Sequence, residues 1–171
     1  MSAIIVFGIS SYLAVAALCD LLLYRIPNLL ILLGAIAGVT CDLLVFGLLS
    51  AGQGLVRSLG LLVLLYPLFL MGVIGAGDVK LVSVCGILIP LSGLGSFIIW
   101  SLIWGGLFSL IRMIRQRQLG IRLFRAVLYF FDMFRAGRFF RYSSLDTADS
   151  YIPFGVCIFL GYLFSTRLEV L

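Results

Sequence analysis

Long, unbroken runs of apolar residues fill most of the chain, and short polar or glycine-rich stretches separate them. A run near twenty residues is what an α-helix needs to cross a bilayer core about 30 Å thick. Six runs approach that length: 3–23, 29–49, 55–74, 79–94, 96–114 and 151–166. The fourth is short and contains Pro90. The runs are continuous and do not alternate, which excludes a transmembrane barrel. The pattern therefore predicts an all-α, polytopic membrane helical bundle with about six transmembrane helices. Breaks are predicted at Arg25-Ile26-Pro27-Asn28, where Pro27 disfavours a helical Ile26, at Ser50 to Gly54, at Gly75-Ala76-Gly77-Asp78 and at Pro90 to Gly93. The first run has no Lys or Arg before Arg25, so it lacks the basic start of a cleaved signal peptide and reads as a retained helix.

Basic residues orient the bundle. If the first helix ends in the cytoplasm, ten of the twelve Lys and Arg residues fall on cytoplasmic segments, and only Arg57 and Arg167 fall outside. Cytoplasmic loops are where the Lys/Arg excess is expected, so both termini are predicted outside. Segment 119–142 mixes Arg122, Arg125, Arg135, Arg138 and Arg141 with Phe124, Leu128, Phe131, Phe134 and Phe139 and has no proline. Basic and aromatic residues together predict a helix lying in the cytoplasmic interface against anionic lipid. A polar linker, 143–150, leads to the last span. The whole chain, 1–171, is expected to be a single membrane-embedded domain.

Composition narrows the function. The chain is 63% hydrophobic and 11% charged, against roughly 45–50% and 25% in soluble domains, so lipid must be the solvent for much of its surface. The net charge of +5 collects in a few loops, which argues for membrane orientation and against nucleic acid. No histidine is present, and with it go the commonest general base and the commonest metal ligand. Cys19, Cys41, Cys85 and Cys157 lie apart in apolar segments with no C-x-x-C pair, so neither a metal nor another cofactor is expected.

Acids are few: Asp20, Asp42, Asp78, Asp132, Asp146, Asp149 and Glu169. An ionisable group within a span is a functional-site hypothesis by default. Asp20 falls in the last turn of the first span and Asp78 at the start of the fourth. The topology drawn from Lys and Arg alone puts both at the same depth, near the cytoplasmic face. Two carboxylates that meet cannot both ionise easily and share a proton. One can then take a proton from water while the other donates to a peptide carbonyl oxygen, the arrangement of aspartic proteases. Gly75 and Gly77 would let an extended peptide approach the backbone beside Asp78, and Lys80 would anchor that loop at the headgroups. Each acid also has a plainer reading: Asp20 as a helix-end partner of Arg25, Asp78 as a helix N-cap. Asp42 reads as a structural polar contact within the second span. Paired intramembrane carboxylates also suit a proton or cation site in a small transporter or channel subunit, although no internal repeat is evident.

Three elements together resemble a known family. Asp20 to Asn28 matches the D-x5-I-P-N signature of type IV prepilin peptidases, Gly75 to Lys80 matches their G-x-G-D-x-K signature, and Ile152-Pro153-Phe154-Gly155 is similar to an I-P-[FY] element near the family's C-terminus. The resemblance implies an intramembrane aspartic peptidase that cuts the short basic leader from prepilins or pseudopilins at the cytoplasmic face of the bacterial inner membrane. It makes Asp20 and Asp78 the catalytic pair, with Arg25, Pro27, Asn28, Gly75, Gly77 and Lys80 shaping the loops that receive substrate. It implies membrane lipids and pilus assembly machinery as partners. Longer members add an N-terminal segment with C-x-x-C zinc ligands and also N-methylate the product. This chain has no such pairs, so methylation is not expected, and the short form resembles the stand-alone peptidases of tight-adherence pilus systems. Presenilins and signal-peptide peptidases share G-x-G-D, but Cys19 precedes Asp20 where they carry Tyr, and no P-A-L element occurs.

Overall fold

The computed structural model describes residues 3–71, 74–115 and 153–170. All the regular structure among them is α-helical: α1 (Ala3–Leu23), α2 (Asn28–Phe46), α3 (Leu48–Leu70), α4 (Ala76–Leu88), α5 (Leu91–Arg115) and α6 (Phe154–Val170). The expected interfacial helix at 119–142 and the linker at 143–150 lie outside the described residues.

Four helices, α1, α2, α3 and α5, are long and apolar enough to cross a membrane. The other two expected spans are shorter. α4 has 13 residues, about 20 Å at 1.5 Å per residue. The apolar part of α6 is Phe154–Thr166. Proline explains the short α4. Ile89 is extended, with φ −108° and ψ 129°, as a residue before proline prefers, so the helix stops before Pro90 and a new one starts at Leu91.

One expected turn is absent. Ser50 to Gly54 lies inside α3, and α2 joins α3 through the single residue Gly47. Gly47 has φ 86° and ψ 178°, a conformation open to glycine and strained for side-chain-bearing residues, so the reversal needs no longer loop. The small residues of the expected turn serve packing instead, with Ala51 and Gly54 buried.

Packing divides the helices into two groups. α2, α3 and α4 pack on one another, as do α1, α5 and α6, with α6 between the other two; α4 also meets α6. Close crossings use residues without a side chain in the way. A Cβ on Gly86 of α4 would stand 3.0 Å from the Ser58 backbone of α3. Gly161 of α6 lies likewise against the backbone of Ser101 on α5. Trp100 and Trp104 of α5 stack on Phe164 of α6 at centroid separations of 5.4 and 5.2 Å. α4 is the hub. Its residues from Leu81 to Ile87 are all buried, and the core joins Leu81, Val82 and Cys85 to Leu13 and Ala16 of α1, Phe97 of α5 and Ile158 and Tyr162 of α6. A helix apolar on every side belongs inside. The peripheral helices instead turn residues such as Leu22, Leu33, Val63 and Ile99 outward, as lipid contact requires.

Candidate active site

Asp20 lies in the last turn of α1, which ends at Leu23. The amide of Tyr24 donates to the Asp20 carbonyl at 3.1 Å, and Tyr24 takes φ 53°, a left-handed helix end that usually falls to glycine. The chain then turns through Arg25 and the buried Ile26 to Pro27, which is extended and N-caps α2. The side chain of Asp20 points inward and is 1% exposed.

The second motif opens α4. Gly75 is the N-cap, with φ −70° and ψ 150°, which places Asp78 third in the helix. Asp78 is therefore not the N-cap that a plain reading of the sequence allowed. Its carboxylate reaches back over the helix start, so that a Cβ on Gly75 would stand 2.9 Å from Oδ2 of Asp78, the place of an acid at the third position of a capping box. The helix dipole favours a negative group at this turn as well. Asp78 is half-buried beside Lys80, which is exposed.

The two motif loops lie against each other. A Cβ on Gly77 would touch Ile26 at 3.4 Å, so glycine there lets the start of α4 rest on the α1–α2 loop. Lys80 donates from Nζ to Oδ1 of Asn28 at 3.0 Å, tying α4 to the first residue of α2. This brings Asp20 and Asp78 together: their carboxylates interact electrostatically, and both act on the thiol of Cys157. Arg25 is exposed on the same loop.

A third element completes the enclosure. The backbone N–H of Gly155, in the first turn of α6, donates to Oδ2 of Asp20 at 2.7 Å. Neither acid spacing nor charge counting points to Gly155; its only sequence signal is its position after Ile152-Pro153-Phe154.

Asp42 stands apart from this cluster. It lines a largely apolar cavity of about 860 Å³ between α1, α2, α3 and the end of α4. One of its carboxylate oxygens is buried without a hydrogen-bond partner, and its charge faces Arg57. Arg57 in turn donates from Nε to the Gly86 carbonyl at 3.0 Å. This fits the expected structural contact. Among the described residues no three His, Cys, Asp or Glu side chains group as metal ligands.

The chemistry open to the Asp20–Asp78 cluster is proton exchange between two carboxylates in a site closed by the Gly155 amide. Comparison with known proteins adds the family. No curated protein and no solved structure gives a significant match. The model of the type IV leader peptidase family matches residues 7–110, a stretch that holds most of α1, all of α2 to α4, most of α5 and both motif loops. This chain thus belongs to the type IV leader peptidase family.

Proposed function

We propose that the chain is an aspartic endopeptidase, a single membrane-embedded domain, that removes the short basic leader of prepilins or pseudopilins at the cytoplasmic face of the bacterial inner membrane. The observation that carries this reading is the meeting of Asp20 and Asp78, which lie 58 positions apart in sequence, where the two motif loops touch.

The mechanism follows from a carboxyl–carboxylate pair. The ionised member takes a proton from a water held between them as the water oxygen attacks the scissile carbonyl carbon. The protonated member gives its proton to the carbonyl oxygen, leaving a neutral gem-diol. Collapse returns one hydroxyl proton to the pair and breaks the C–N bond, and the leaving nitrogen is protonated from the pair. Both carboxyls end as they began, so no metal or cofactor enters the balance. Gly75 and Gly77 leave room for an extended peptide beside Asp78, while Arg25, Pro27, Asn28 and Lys80 hold the loops that receive it. A basic leader stays in the aqueous phase and the apolar helix after it stays in lipid, which suits a site at the end of the spans.

The test is leader removal. A small prepilin co-expressed with the wild-type chain should lose its leader by mass, and co-expressed with Asp78→Asn it should not. Intact substrate with a folded, inserted wild-type protein, across several prepilins, would favour a proton or cation carrier using the same two acids.

A further inference from the structure

We infer that Gly155 is a positioning residue for Asp20, so that α6, which lies beyond the matched segment 7–110, is part of the site. The inference rests on the aspartic reading above. Four amides at a helix start have no partner within the helix. In α6 one of them, Gly155 N–H, is spent on a carboxylate from another helix at 2.7 Å, within the short range of charge-assisted bonds. The approach requires glycine. A Cβ at 155 would lie 2.9 Å from Oδ2, 3.0 Å from Cβ and 3.2 Å from Cγ of Asp20, so any side chain must push the carboxylate away.

The other acid also lies over a glycine at a helix start: a Cβ at 75 would stand 2.9 Å from Oδ2 of Asp78. The sulfur of Cys157, whose thiol donates to the Pro153 carbonyl at 3.8 Å, closes the first turn of α6. It is fully buried and senses both acids. The turn at 153–157 therefore faces the pair as a whole, and a fixed backbone donor sets the orientation in which the Asp20 carboxylate meets its partner.

Two measurements on the full chain in micelles test this. In leader cleavage, Gly155→Ala should lower kcat roughly 10- to 100-fold, the range for losing a hydrogen bond to a charged group, with KM changed less than about twofold, as for a group acting only on the chemical step. With isotope-labelled glycine, the Gly155 amide proton should resonate far downfield, move upfield in Asp20→Asn and hold its place in Asp78→Asn. A purely structural glycine would not follow the charge on Asp20. A wild-type kcat in Gly155→Ala, or an amide resonance indifferent to Asp20→Asn, overturns the inference. If the aspartic reading itself is at fault, the aspartate variants show it by remaining active, whatever Gly155→Ala does.

Discussion

The bundle buries carboxylates at two places, and it treats them in opposite ways. Asp42, about 21 Å along α2 from Asn28 at 1.5 Å per residue, faces a cation: Arg57 answers its charge and is itself fixed to the Gly86 carbonyl. Asp20 and Asp78 face each other: the Gly155 amide donates to Asp20, and Asp78 folds back over Gly75. An acid with a cation facing it serves packing, whereas two acids that face each other can pass a proton between them. Acids within spans are costly wherever they occur, so the nature of the neighbour, and not burial, separates Asp42 from the pair proposed as catalytic.

Substitutions can break that contrast, beginning with the largest effect. Asp20→Asn and Asp78→Asn should each reduce leader cleavage by at least about a thousandfold, with insertion and helicity unchanged. Full activity in either would remove the distinction. Arg57→Leu leaves Asp42 without its cation and Gly86 without its donor. It should destabilise the fold by about 2 kcal/mol in micelle unfolding, while the folded fraction keeps its kcat. Asp42→Asn sharpens the contrast, because it removes the charge and keeps the shape: stability should shift by less than about 1 kcal/mol, and cleavage should remain measurable. Lys80→Ala removes an exposed bond between the loops, and its cost to kcat/KM should stay under about fivefold, as for exposed charged contacts. A larger loss would give Lys80 a direct part in holding substrate.

Much of this was legible in the residues. Runs of Leu, Ile and Val gave α1 at its observed bounds and α2 within three residues, because lipid-facing helices answer to composition alone. α3 was harder. Ser50, Gly52 and Gly54 look like a turn, yet the reversal sits at Gly47, since small polar residues pack a helix crossing as readily as they make a loop. α4 ends six residues before its apolar run does, because Pro90 sets the backbone of Ile89. The two acids proposed as catalytic stood out in the sequence as a pair placed at helix ends of equal depth. Arg57 was not legible as the partner of Asp42, nor Gly155 as the seat of Asp20, since both are contacts between distant segments that leave no periodicity. Tyr24 carries no sign of its positive φ in its residue type.

The division of the helices into two packed groups has a dynamic consequence. Asp20 belongs to the α1–α5–α6 group and Asp78 to the α2–α3–α4 group. Among the described residues the chain passes between the two groups at residues 24–27 and 89–90. Rocking of one group against the other would open the gap between the carboxylates along with the core that α4 shares with α1, α5 and α6. The proposed catalytic pair would then be assembled by closure, and solvents that loosen the bundle should silence leader cleavage while the helices are still intact.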